Sequence, residues 1–189
     1  MYTRIASYAC IVLFSGAALA APESYTVDPT HTFPSFEISH LGFSTQRGRF
    51  NSTKGRVVLD LKARTASVEI TIDAASIDTG LDKLETHLRN PDFFDVEKYP
   101  TLSFTSTGAR FNGDKLIALT GDLTIRGQTK PVTFTVTAFK CGMHPVAKKQ
   151  ACGAEATTTI KRSDFGMTYG LPAVGDAVKL LLQIEAHKD

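Results

Sequence analysis

A chain of 189 residues, 42% hydrophobic and 21% charged, is long enough to bury one sizeable core and shows no composition break that would divide it into two domains. Its 21 Lys and Arg against 19 Asp and Glu leave a formal net charge of +2, which offers no electrostatic case for nucleic-acid binding.

The first segment, residues 1–21, carries a single charge, Arg4, ahead of the apolar run Ala9 to Leu19, and closes on Ala18-Leu19-Ala20. That run is shorter than the roughly 20 residues needed to span a bilayer, and small residues at its end suit a signal peptidase. A cleaved signal peptide over 1–21 is predicted, leaving a soluble exported domain over 22–189. Cys10 lies before the apolar run, so it is expected to leave with the signal and is not read as a lipid-anchored cysteine.

The mature part is dominated by alternation with a period of two, the mark of half-buried strands. In chain order, Phe36 to His40 reads as a strand, and Lys54-Gly55 reads as a turn. Arg56 to Leu61 puts Val57, Leu59 and Leu61 on one face, and Ser67 to Asp73 does the same with Val68, Ile70 and Ile72. Leu81, Leu84 and Leu88 recur instead at helical spacing, with Asp82 and Glu85 toward the start, which predicts one short helix ended by Asn90-Pro91. Phe93 and Phe94, adjacent rings that cannot share one strand face, belong to a packed connecting loop. Thr101 to Ser106, Val132 to Ala138 and Asp176 to Ala186 return to alternation, with turns at Asn112-Gly113-Asp114 and Arg126-Gly127-Gln128. Eight to ten short antiparallel strands, each with one apolar face, are best satisfied by closing the sheet. The expected fold class is all-β, a single antiparallel barrel of about eight strands with one short helix.

With the signal removed, Cys141 and Cys152 remain, and an even pair in an exported chain predicts a disulfide that fastens a loop. Lys140, Lys148 and Lys149 make that loop a positive tip, read as a solvated loop, with transient contact to an anionic membrane surface as the alternative. The chain has no Gly-x-Ser-x-Gly elbow, no His-Glu-x-x-His and no phosphate-cradling Gly-x-x-x-x-Gly-Lys loop. The five histidines (His31, His40, His87, His144 and His187) are never three or four residues apart, so no helical metal pair exists and no metal is expected. His31 and His40 are read as structural. His87, on the predicted helix, is placed between fastening a loop and touching a ligand head group. Asp92 and Asp95 are read as loop-fastening carboxylates, with general acid–base work as the competing role.

Several motifs stand in order along the chain: Tyr25-Thr26-Val27-Asp28 with His31, Phe36 to His40 with Leu41-Gly42, Gly48 with Phe50, and Ser76-Ile77-Asp78-Thr79-Gly80. His87 to Asp95, Tyr99-Pro100, Gly121 to Gly127 with Thr129-Lys130, and Arg162-Ser163-Asp164-Phe165-Gly166 continue the series. Together they resemble the motifs of the YceI-like family of periplasmic lipid-binding proteins. The resemblance implies a lipocalin-like barrel in the periplasm, whose axial cavity takes a long apolar lipid such as a polyprenyl chain or an isoprenoid quinone, with no catalysis and no cofactor. The lipocalin Gly-x-Trp signature is missing, since the chain has no Trp, and the Cys141 to Cys152 loop stands outside the family pattern.

From the alternation, the expected cavity lining is Phe36 and Ile38, then Phe50, Val57 and Leu59, then Val68, Ile70 and Ile72. Phe104, Leu123, Ile125, Phe134, Val136, Leu180 and Leu182 complete it, with His87 near the mouth. The competing functions are an envelope enzyme acting on a lipid and a stress-response interaction module with a filled core. The oligomeric state stays open between monomer and homodimer.

Overall fold

The computed structural model describes residues 21–189; the predicted signal, apart from Ala21, and Cys10 within it lie outside the described residues. The described residues form eleven strands: β1 (Glu23–Val27), β2 (Ser35–His40), β3 (Ser44–Phe50), β4 (Thr53–Asp60), β5 (Thr65–Asp73), β6 (Ile77–Asp78), β7 (Thr101–Asn112), β8 (Lys115–Ile125), β9 (Gln128–Met143), β10 (Gln150–Lys161) and β11 (Val174–Lys188). The helix α1 (Asp82–Arg89) follows β6, where the leucine spacing places it.

Eight of these strands, in the order β1-β4-β5-β7-β8-β9-β10-β11, form a ring that closes because β11 also pairs with β1. The seam is antiparallel, with Tyr25 opposite Lys188 and Val27 opposite Ala186. Closure satisfies the backbone groups that an open edge would leave bare. Farther back along β11, Leu180 pairs with Phe36 and Val178 with Ile38, so β2 occupies the same side of β11 as β1 does at its end. From β2 the sheet continues through β3 to β6. One 15-residue strand therefore serves both the barrel seam and a three-stranded flap.

The turns expected at Asn112 to Asp114 and at Arg126-Gly127 join β7 to β8 and β8 to β9. Lys54-Gly55 is not a turn. Both lie inside β4, opposite Thr71 and Ile70, and a Cβ on Gly55 would come 2.3 Å from the Glu69 carbonyl oxygen. Glycine is there because two backbones approach closely, a second reason for Gly within a strand that sequence does not separate from turn formation.

Inward side chains divide into two clusters. The larger is built on Phe50, Val68, Ile70, Phe104, Leu123 and Phe134, and the smaller on Tyr25, Leu59, Cys152 and Ala186. Cys141 and Cys152 stand opposite each other on β9 and β10 with Cα atoms 4.1 Å apart and their sulfurs joined. Replacing both by serine frees an 11-residue separation in the unfolded chain. The expected cost is about 3 kcal/mol, a fall in Tm of roughly 6–12 °C for a domain of this size, read by comparing thermal melts of oxidised and variant protein.

Candidate functional site

The barrel interior is not filled by its own side chains. The inner strand faces and one side of α1 enclose a cavity of about 580 Å³, inside the ~300–1,000 Å³ range of pockets that bury most of a small ligand. A filled core, one of the competing readings, does not fit this hollow.

Alternation puts the wall together strand by strand. β2 and β3 contribute Phe36, Ile38 and Phe50, and β5 contributes Val68, Ile70 and Ile72. Phe104, Leu123, Ile125, Phe134 and Val136 come from β7, β8 and β9, and Leu180 and Leu182 from β11. The rings lock one another edge to face: Phe104 on Phe134 at 5.3 Å, Phe50 on Phe94 at 5.5 Å. Val57 and Leu59 were expected on this wall and are not part of it. Leu59 is in the smaller cluster, and Val57 packs between the two clusters. The alternation assigned their face correctly, but inward residues near the other end of the barrel pack against Tyr25 and Ala186 instead of lining a hollow.

Sequence reasoning missed the end of the cavity near α1. Leu81, Leu84 and Leu88 face it, as do Phe93 and Phe94 of the following loop, and Met167 and Tyr169 from the β10–β11 connection. The helical spacing of the three leucines was the available signal for an apolar helix face directed at something. The helix is tied down by polar contacts: Glu85 accepts from the Thr79 backbone N–H at 2.9 Å, and Arg89 donates to the carbonyls of Ala75 and Ile77, each at 2.9 Å. Arg126, in the β8–β9 turn, reaches the carbonyls of Gly166 and Pro91 at 2.8 and 3.1 Å, binding the loop after α1 to the β10–β11 connection.

One charged side chain in the wall carried no signal of burial in the sequence. Arg162 is 3% exposed and donates to the carbonyls of Met167, Gly175 and Val174 at 2.7, 2.8 and 3.1 Å. Burial works against its charge and pushes its pKa down, while Asp176 nearby opposes the shift. Asp176 accepts from the backbone N–H and hydroxyl of Ser163 at 2.9 and 2.8 Å, bonds that hold its carboxyl below the usual range.

His87 both borders the cavity and bonds to Asp92 at 3.1 Å, its ring edge-on to Phe93 and Tyr169. His31 lies elsewhere, beside a separate hollow lined by Phe139, His144 and Glu185. The four residues an enzyme reading would recruit, His31, His87, Asp92 and Asp95, are thus not gathered at one place, and neither aspartate lines the cavity. Among the described residues Asp28, His31 and Glu185 bring one possible metal-ligating atom each within 4.8 Å of one another. The Asp28 carboxylate is already engaged: it bonds to His31 Nδ1 at 2.7 Å and to Thr30 through backbone and hydroxyl at 2.9 and 2.6 Å.

Burial works against the Asp28 charge, but the bonds from His31, Thr30 and His187 together outweigh it and hold the carboxyl far below the usual range. The same bond raises the pKa of His31. The two linkages have opposite signs. The His31 contribution is complete below the unfolded value of about 6.5 and is lost as pH rises through the higher folded value. The Asp28 contribution is complete above about 3.9 and is lost as pH falls through the lowered one. NMR titration of the His31 ring is expected to give a pKa above 6.5 that drops back toward it in Asp28→Asn.

A model of the YceI-like domain matches residues 25–186 of this chain. The chain belongs to the YceI-like family. Among relatives of this YceI-like chain, protein YceI of Escherichia coli is 37% identical over 180 residues, covering 95% of this chain and 93% of the other. The crystal structure of BcnA from Burkholderia cenocepacia superposes with a TM-score of 0.73 at 26% identity, covering 84% of this chain and 98% of that one. A polyisoprenoid binding domain from Saccharophagus degradans has a TM-score of 0.67 at 16% identity, with 88% and 99% covered; that likeness is one of fold.

Proposed function

We propose that this YceI-like protein is an exported, non-catalytic carrier that holds a long isoprenoid chain, of the polyprenyl or quinone type, in its barrel cavity. The observation that carries the reading is the cavity of about 580 Å³ whose wall is almost wholly aliphatic and aromatic. The polyisoprenoid-binding neighbour of the same fold supports it. Apolar burial yields about 0.8 kcal/mol per methylene, so an isoprene unit of five carbons contributes about 4 kcal/mol before the losses of binding. Those losses run to ~4–15 kcal/mol, so several units must be enclosed, and length and shape of the hollow set selectivity more than any polar contact. Export through a cleaved signal over 1–21 and residence in the periplasm complete the proposal, and a disulfide suits that compartment.

The test is mass spectrometry of organic extracts from protein purified without detergent out of its native envelope fraction. A stoichiometric isoprenoid is the expected finding. Repeated preparations that release no apolar chain, and that take none up when offered one, sink the proposal.

A further inference from the structure

Resting on that carrier reading, we propose that the rim of the cavity is a membrane-docking surface, with the β2–β3 hairpin tip entering the interface of a lipid bilayer. Phe43 is 91% exposed, and Leu41, Leu81 and Tyr169 are each more than half exposed. They come from three segments that meet at one end of the barrel. The Leu41 backbone N–H donates to Ala173 at 2.9 Å, joining the hairpin tip to the connection that carries Tyr169. Tyr169 packs on His87 and Phe93 at 5.1 and 5.5 Å, and Leu81 stands at the start of the helix that bears His87.

The occupant is a lipid surface because the exposed rim is continuous with the hollow. Leu81 and Tyr169 are at once open to solvent and part of the cavity wall, so a chain leaving a bilayer would meet apolar side chains from the interface inward. The tip is also built against local preference. Leu41 and Gly42 both have positive φ, 54° and 74°, a turn in which Asn-Gly is favoured and a leucine is strained. A residue that suits neither its backbone nor water, with a nearly bare phenylalanine two positions on, indicates selection for something outside the chain. From Leu41 to Gln46 no side chain is charged. Arg47 and Arg49 just beyond are paired with Glu37 and Asp78 at 2.8 and 3.6 Å, so the tip enters an interface without stripping water from an ion. Aromatic and branched apolar side chains are the residues that settle at that depth.

At the other end of β9 the hairpin stapled by the disulfide offers the rival orientation. Met143 and Val146 are exposed there, beside Lys140, Lys148 and Lys149, but those residues have no continuity with the cavity wall.

Flotation with phosphatidylethanolamine–phosphatidylglycerol vesicles separates the two, using Leu41→Asn with Phe43→Ser. Asparagine accepts the positive φ, and neither residue lines the cavity. The wild-type protein is expected to float and the double variant to lose about tenfold in bound fraction. Its affinity for soluble farnesol and its thermal melt are expected to be those of wild type. Binding that persists as salt is raised supports apolar insertion, whereas release by salt overturns it. Docking is also overturned if wild type stays with the soluble fraction, or if the double variant floats equally well. It is overturned too if Lys148→Glu with Lys149→Glu abolishes flotation instead, or if the wild type proves to be a dimer that the Leu41 and Phe43 changes dissociate. Failure of the carrier reading looks different: farnesol is bound by neither protein, while flotation still distinguishes them.

Discussion

Ala156→Phe is expected to leave a folded barrel that binds farnesol at least tenfold more weakly than the parent. Ala156 is buried on β10 with its methyl group in the cavity wall, between Val136 on one neighbouring strand and Leu182 on the other. A phenyl ring built from this position projects into empty space. The overpacking cost of ~1–3 kcal/mol that extra carbons incur in a dense core is therefore partly avoided. The ring instead occupies volume that a guest chain would use, and displacing two or three methylenes at about 0.8 kcal/mol each already exceeds the 1.4 kcal/mol that corresponds to about tenfold in affinity. Fluorescence competition reads the affinity and a thermal melt reads the fold. Undiminished binding with an intact melt would mean that the guest sits somewhere else.

The second large effect concerns stability. Arg162→Met is expected to cost about 3–5 kcal/mol, because it deletes a buried cation together with the donors to three carbonyls. Those carbonyls belong to Met167, Val174 and Gly175, so the arginine joins the β10–β11 connection to the first residues of β11. Methionine fills much of the same volume and leaves the oxygens without partners. Arg162→Lys restores the charge but not the planar fork that reaches three directions at once, and should recover only part of the loss. Urea denaturation of the three proteins gives the order, with an unchanged midpoint in Arg162→Met as the contrary result. The loosened connection carries Tyr169, so the methionine variant should also hold its apolar guest less tightly.

Six strands, β2, β4, β5, β7, β9 and β11, were legible from alternation, recorded directly in Val68, Ile70 and Ile72 or in Leu180 and Leu182, whereas β3, mostly exposed, and β10, rich in Ala and Thr, carry no such record. The helix was legible for the corresponding reason at a different period. The partner of each strand was not, since pairing is decided by segments far apart in the chain: nothing local says that β11 meets both β1 and β2. Depth along the barrel was equally hidden. Val57 and Leu59 obey the same alternation as Val68 and Ile70, and only the position of Tyr25 and Ala186 decides which of them border a hollow. The burial of Arg162 is invisible in its motif, because burial of a cation depends on carbonyls brought to it by Met167 and β11. Gly55 shows the same ambiguity in the opposite direction, since close backbone approach and turn formation both select glycine.

The shared use of β11 has a mechanical consequence. Since the eight-strand ring closes on β1 without help from β2, β3 or β6, pairing between Phe36 and Leu180 can be broken while the cylinder keeps its circumference. That side panel carries Phe36, Ile38 and Phe50, three of the rings and branches that touch the hollow. Lifting it would open the compartment along its flank, so on the carrier reading proposed above a long apolar guest need not be threaded tip first through a fixed hole.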